Sequence, residues 1–180
     1  MIVGKTVIGE GCKIGPHAYI EDSKIGSEAE VRASFIYGAV IAEGVKIGPF
    51  THIRPGSVVK SGARVGNFSE IKKSVIGKNA KVSHLSYIGD SVLGEEVNVG
   101  AGVITCNFDG VKKHKTAIGK RTFVGSNVNL VAPVQVGEGS IIGAGSTITE
   151  NVPAHSLALA RPHQIVKKNW VKMKKRKVAG

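Results

Sequence analysis

An aliphatic residue returns every sixth position along most of this chain, and that period leaves few architectures open. The runs are Ile8, Ile14, Ile20; Ile25, Val31; Ile41, Ile47, Ile53, Val59, Val65, Ile71; Ile76, Val82, Ile88; Leu93, Val99; and Ile118, Val124, Leu130, Val136, Ile142, Ile148. A few steps are five, as from Ile20 to Ile25. Gly often follows the aliphatic residue, and a small residue often stands four places after it, as at Ala18, Ser57, Ala63 and Ser146. A helix repeats near 3.6 and a strand near 2, so six fits neither a helix nor a hairpin meander. It fits a solenoid in which each hexad is a short strand and a turn, with the aliphatic residue pointing inward. Three such sides close a triangular coil of about eighteen residues, and counting Ile36 and Ile104 as inward positions gives about eight coils. The expected fold class is an all-β parallel β-helix. The abundance of Ile and Val and the scarcity of aromatics (5%) agree with strands.

Two segments depart from the period. TCNFDGVKKHKTA, 105–117, separates Ile104 from Ile118 where a single hexad is expected, so it must leave the prism as a loop. After Ile148 the rhythm stops. The coils are therefore assigned to residues 1–150, and 151–180 form an extension that ends in a short helix or basic tail.

Net charge is +12, with Lys167, Lys168, Lys172, Lys174, Lys175, Arg176 and Lys177 crowded at the end. Such a run is a solvated tail or an attractor of phosphates. Without interleaved aromatics or a nucleic-acid motif, specific nucleic-acid binding is not expected. Cys12 and Cys106 make no disulfide framework, and no apolar stretch approaches the roughly 20 residues of a membrane span, so a cytoplasmic location is expected.

The repeat converts into a vertical register. Ile53 and Ile71 share a side in successive coils, which stacks Arg54 on Lys72; two such charges about 5 Å apart repel by roughly 1 kcal/mol in water, so an anion between them is expected. The same register stacks Glu70 on Tyr87 and sets His84 level with Asn67 and Ala101. Arg54, Glu70, Lys72, His84 and Tyr87 thus gather near one edge. This permits an enzyme with His84 as base acting on a phosphorylated substrate, or a scaffold whose charges meet a protein partner. Asn107, Lys112 and Lys113 on the loop favour the enzyme. A zinc hydrase needs clustered His ligands, and the six histidines show no such grouping.

Residues 66–161 resemble the acetyltransferase domain of the bifunctional bacterial N-acetylglucosamine-1-phosphate uridylyltransferase/glucosamine-1-phosphate N-acetyltransferase family. The resemblance rests on IRPGS (53–57), GNFSEIKKSVIG (66–77), SHLSYIGD (83–90), VNVGAGVITCNFDGVKKHKT (97–116), the stretch 123–149 and LALARP (157–162). It implies a left-handed coil, a homotrimer with sites between subunits, and acetyl-CoA as co-substrate with no metal required for acetyl transfer. It also implies roles: His84 as catalytic base with Glu70 beside it; Arg54, Lys72, Lys113, Tyr87 and Asn98 on the sugar phosphate; Ala101, Asn107, Phe108, Ser126, Ala144 and Arg161 on acetyl-CoA. Phe108 departs from the Tyr common in that family. Cys106 is read as a packing thiol, not a nucleophile. No Gly-rich nucleotide-binding start precedes Val7, so neither uridylyltransferase activity nor a magnesium requirement is expected. Another amino-sugar phosphate, or a nucleotide-linked amino sugar, is the alternative substrate.

Overall fold

The computed structural model describes residues 1–178, with side chains as far as Lys174. Its strands are two to four residues long and form three parallel sheets of nine, eight and nine strands among the described residues. Within the sheets each strand pairs with the strands three before and three after it in the chain, the signature of a triangular coil; only the last strand, Leu157–Ala158, departs, pairing with the strand two before it. The coil is left-handed. Ile20, Ile36, Ile53, Ile71, Ile88 and Leu130, from the first sheet, are fully buried along one inner wall. Burying each such side chain contributes roughly 1.5–3 kcal/mol, and the pile of them is the core.

Two expectations need correction. The prism has about nine turns, not eight. Ile2–Val3 opens the first sheet by pairing Ile2 with Ile20, and Leu157–Ala158 closes the third by pairing Ile142 with Ala158. The last strand escapes an aliphatic count because its inward residue is only an alanine. The second correction concerns Ile104, which faces outward, level with Tyr87 and Asn129. Thr105 takes the inward position, level with Leu130, and is fully buried. The step from Val99 is therefore an unbroken six, hidden because the sixth residue is polar. A slip of one residue along a strand exchanges its two faces.

The corner that leads from the third sheet into the first needs a left-handed backbone. It is met by glycine at Gly102 and Gly145, but by Phe50 (φ 57), Phe68 (φ 56) and Leu85 (φ 48) in the lower coils. L-residues with a large side chain rarely adopt this conformation. At the opposite edge of the first sheet the chain leaves as a loop after Cys106. It turns back through an antiparallel bridge between Phe108 and Lys113. Strand pairing resumes in register, with Ser91, Val92 and Leu93 against Thr116, Ala117 and Ile118.

Beyond the coils, Trp170–Val178 form a helix, with Lys174 Nζ 5.1 Å from the centre of the Trp170 ring. The side chains of Lys175, Arg176 and Lys177, part of the basic tail, lie outside the described residues. Among the described residues no helix is long and apolar enough to cross a membrane.

Candidate active site

The outer face of the first sheet carries the charges. Arg54 follows Ile53, which pairs with Ile71, and Lys72 pairs with Gly89, so Arg54, Lys72 and Gly89 stand in one column. Arg54 Nη1 donates to Glu70 Oε1 at 2.9 Å. That ion pair is well solvated and worth little in stability, but it answers the Arg54 charge. The cations left to meet are Lys72 and Lys113. The Lys72 ammonium beside Lys113 draws the Lys113 pKa below its ordinary value, a shift that Asp90 opposes. Two ammonium groups brought together at a surface, with Arg54 in the same column, make a seat for a dianion such as a phosphate.

Around that seat the polar groups interlock. Asn107, almost fully buried, donates through Nδ2 to Asp90 Oδ2 at 2.5 Å and to Tyr87 Oη at 3.3 Å. The Tyr87 phenol lies across Gly89: a Cβ on Gly89 would fall 2.5 Å from Tyr87 Oη and 2.7 Å from Asn107 Nδ2. A Cβ here would push apart the Tyr87 phenol and the Asn107 amide, so the glycine serves their close approach, not a turn.

Asp109 builds the loop that brings Lys113 in. Its Oδ1 accepts from the N–H groups of Val111 (2.8 Å) and Lys112 (2.7 Å), and its Oδ2 lies 2.6 Å from His114 Nε2. These bonds, the Lys112 N–H foremost, hold the Asp109 pKa down at about 2. His114 N–H also donates to Asn107 O at 2.8 Å, closing the hairpin at its foot. Cys106, just before the loop, has its pKa raised by burial, which suits a packing thiol and not a nucleophile.

The second group of residues stands at the corner opposite the loop. Asn67 pairs with His84, and Nδ1 of His84 lies 2.7 Å from Asn67 Oδ1. Bonds from Asn127 N to Ala101 O and from Gly145 N to Ser126 O continue the row upward, so Ala101, Ser126 and Ala144 follow His84 coil by coil. Arg161 ends it, donating from Nη1 to Ala144 O at 2.9 Å. Glu70, expected beside His84, is engaged by Arg54 instead, and the residue on the imidazole is Asn67. Asn98 pairs with Lys81 and Phe123 on the third sheet, away from the Tyr87 face. Phe108 is exposed on the hairpin, and Lys113 is exposed at its foot.

The candidate residues therefore fall into two groups. Arg54, Glu70, Lys72, Tyr87, Asn107, Phe108 and Lys113 belong to the loop side of the first sheet. His84, Ala101, Ser126, Ala144 and Arg161 line the opposite corner, with Asn98 beyond it. From Leu85 to Gly89 the first sheet spans about 13 Å. Sequence reasoning sets Asn67 level with His84 but assigns it no part, and it misses Gly89, Asp90, Thr105 and Asp109. Gly89 was accessible: it fills, in the next coil, the slot that Arg54 and Lys72 occupy below.

A prism of stacked hexads with cations on one face and a histidine at a corner is the build of a hexapeptide-repeat transferase, and the family model "Bacterial transferase hexapeptide (six repeats)" matches residues 38–73 and 115–150. The chain is 52% identical over 169 residues to the bifunctional protein GlmU of Carboxydothermus hydrogenoformans, covering 94% of this chain and 38% of that protein. Against GlmU of Thermotoga petrophila it is 52% identical over 176 residues, 98% of this chain and 39% of the relative. The chain belongs to this family and corresponds to the C-terminal hexapeptide acetyltransferase part of GlmU, spanning about two fifths of the curated relatives' length. Among solved structures, the acetyltransferase domain of PglB from Neisseria gonorrhoeae, in complex with acetyl coenzyme A, superposes with a TM-score of 0.59 at 21% identity. That match covers 68% of this chain and 57% of the other, and shows the shared fold.

Proposed function

We propose that this chain transfers the acetyl group of acetyl-CoA to the 2-amino group of glucosamine 1-phosphate, at a site completed by a second copy of the chain. The observation that carries this reading is the meeting of Lys72 and Lys113 beside Tyr87 and Asn107: an anion seat next to groups that can hydrogen-bond a sugar. The 1-phosphate sits on the two lysines, with Arg54 in the same column. Tyr87 and the neighbour's Asn98 position the ring.

His84 supplies the base. With Asn67 Oδ1 facing Nδ1, the ring keeps its proton on Nδ1 and presents the Nε2 lone pair outward. The neutral 2-amino group attacks the thioester carbonyl carbon and gives up a proton to Nε2. The C–S bond breaks, and the departing CoA thiolate recovers that proton from the imidazolium. No covalent acetyl-enzyme forms and no metal is needed. Polar groups of Asn107, Phe108 and Ser126 stabilise the oxyanion.

The corner row fits the donor. Ala101, Ser126 and Ala144 present only small side chains along successive coils, a smooth strip for an extended pantetheine arm, and the Arg161 guanidinium at its end suits the phosphates of the CoA. Acetyl-CoA as donor suits a reaction in the cytoplasm.

The two groups of residues support a homotrimer. Asn107, Phe108 and Lys113 leave the prism at one edge, and the small-residue row runs along the opposite corner, so a loop from one copy meets the row of the next. Beside that row stand Phe50 and Phe68, stacked with ring centres 5.5 Å apart and 59% and 57% exposed, and Leu85 at 58%. Three large apolar side chains held in a disfavoured backbone conformation beside His84 suit a surface that a neighbour covers.

Complementation tests this directly. His84→Ala and Lys72→Ala homotrimers are each expected to lose about 100-fold or more in turnover. Co-expressed in equal amounts, the two chains are expected to recover about a quarter of wild-type sites, the fraction that receives Lys72 and His84 from intact partners. Mixed trimers as silent as their parents defeat the shared site. Absence of thiol release by the wild-type protein, with acetyl-CoA and a panel of amino sugars and their 1-phosphates, defeats the activity.

A further inference from the structure

Among the described residues, the aliphatic column of the first sheet has one polar member. Thr105 is fully buried in the column that Ile53, Ile71, Ile88 and Leu130 otherwise fill with hydrocarbon. A hydroxyl among aliphatic side chains costs free energy unless it is bonded. Thr105 Oγ1 accepts from Gly89 N–H at 2.8 Å, and lies 3.2 Å from Gly89 O and 3.3 Å from Tyr87 O as a donor.

The strand ladder explains what the hydroxyl is for. Tyr87–Gly89 pairs with the coil below through Glu70 and Tyr87, Ile71 and Ile88, and Lys72 and Gly89. With the coil above it pairs through Tyr87 and Ile104 alone. In the regular part of the same column, Arg54 N–H donates to the Ile71 carbonyl at 2.8 Å. At Gly89 the ladder has opened, just before the chain departs as the loop, and the Thr105 hydroxyl takes up an N–H that would otherwise be buried without an acceptor. Gly89 is also the residue over which the Tyr87 phenol and the Asn107 amide meet, with room for no Cβ between them. Thr105 therefore holds from inside the backbone on which the sugar-facing groups rest outside.

We propose that Thr105 is a positioning residue for the amino-sugar phosphate: its hydroxyl sets the height of Gly89, and through it the placement of Tyr87 Oη and Asn107 Nδ2. This rests on the reading that the first sheet binds the sugar phosphate. Thr105→Val supplies the hydrocarbon that the column favours and removes the acceptor. Thr105→Ser keeps the hydroxyl and leaves a small void.

By calorimetry with glucosamine 1-phosphate, Thr105→Val is expected to bind about tenfold more weakly than wild type, while Thr105→Ser stays within about threefold. By thermal unfolding, both variants are expected to fall below wild type, Thr105→Val because the buried Gly89 N–H loses its acceptor and Thr105→Ser because of the void. In turnover assays the loss in Thr105→Val is expected in KM for the sugar phosphate, with KM for acetyl-CoA unchanged. The proposal is overturned if Thr105→Val binds the sugar phosphate as wild type does, if Thr105→Ser loses as much affinity as Thr105→Val, or if the wild-type protein does not bind it at all. A wild-type protein that binds the sugar phosphate without turnover removes the acetyltransferase reading, while the order of affinities still decides the role of Thr105.

Discussion

The residue with the most chemistry resting on it is one that the sequence leaves without a role. Asn67 stands one coil below His84, and its amide oxygen determines which imidazole nitrogen carries the proton. Asn67→Leu keeps the size of the side chain and frees the ring to take either tautomer. Turnover is expected to fall about tenfold or more, with both KM values little changed; steady-state kinetics read the difference, and an unchanged kcat would show that the ring needs no such hold. Register arithmetic makes the neighbourhood of Asn67 and His84 legible, because the period of six fixes which residues stand level. It cannot show which of two nearby groups a side chain selects. Glu70 turns to Arg54 because a guanidinium is the stronger partner for a carboxylate, and that choice leaves the imidazole to the neutral amide. Thr105 was hidden for a different reason: a period counted in hydrocarbon passes over an inward hydroxyl.

At the scale of the element, the loop is legible as an excess of residues over the hexad, but its shape is not. The hairpin depends on one carboxylate that accepts from two backbone N–H groups and a histidine. With its folded-state pKa held at about 2, below the ordinary carboxylate value, Asp109 contributes to loop order fully above pH about 4, and that contribution is lost as pH falls through about 2. Backbone amide exchange across 107–115 is therefore expected to accelerate in that window while the coils keep their strand signal. Protection that persists to the bottom of the window would detach the loop from Asp109. At neutral pH, Asp109→Ala is expected to imitate the acid state: Lys113 is released from Lys72, and KM for the sugar phosphate rises about tenfold with little change in kcat. Kinetics at pH 7 decide it.

For the whole molecule, stability is a column property. Each coil touches only the coils above and below, so the cost of an internal void depends on how many neighbours line it. Ile71→Ala, with Ile53 beneath and Ile88 above, is expected to lose about 2–5 kcal/mol. Ile8→Ala, in the first strand of the second sheet and only half-buried, is expected to lose clearly less. Denaturant titration of the two variants measures the gradient, and equal losses would argue against it. The solenoid itself is readable from the positions of Ile and Val, because stacked parallel strands bury one residue in each hexad and leave the others little constrained. Its last strand is less readable, because the inward residue there, Ala158, is small. The loop shows what this construction permits. Ser91, Val92 and Leu93 find Thr116, Ala117 and Ile118 in ordinary register after the detour, so the prism is indifferent to how far the chain travels between them. What the protein recognises can be rewritten in that short excursion, in length as well as in composition, while the strands on either side keep their register.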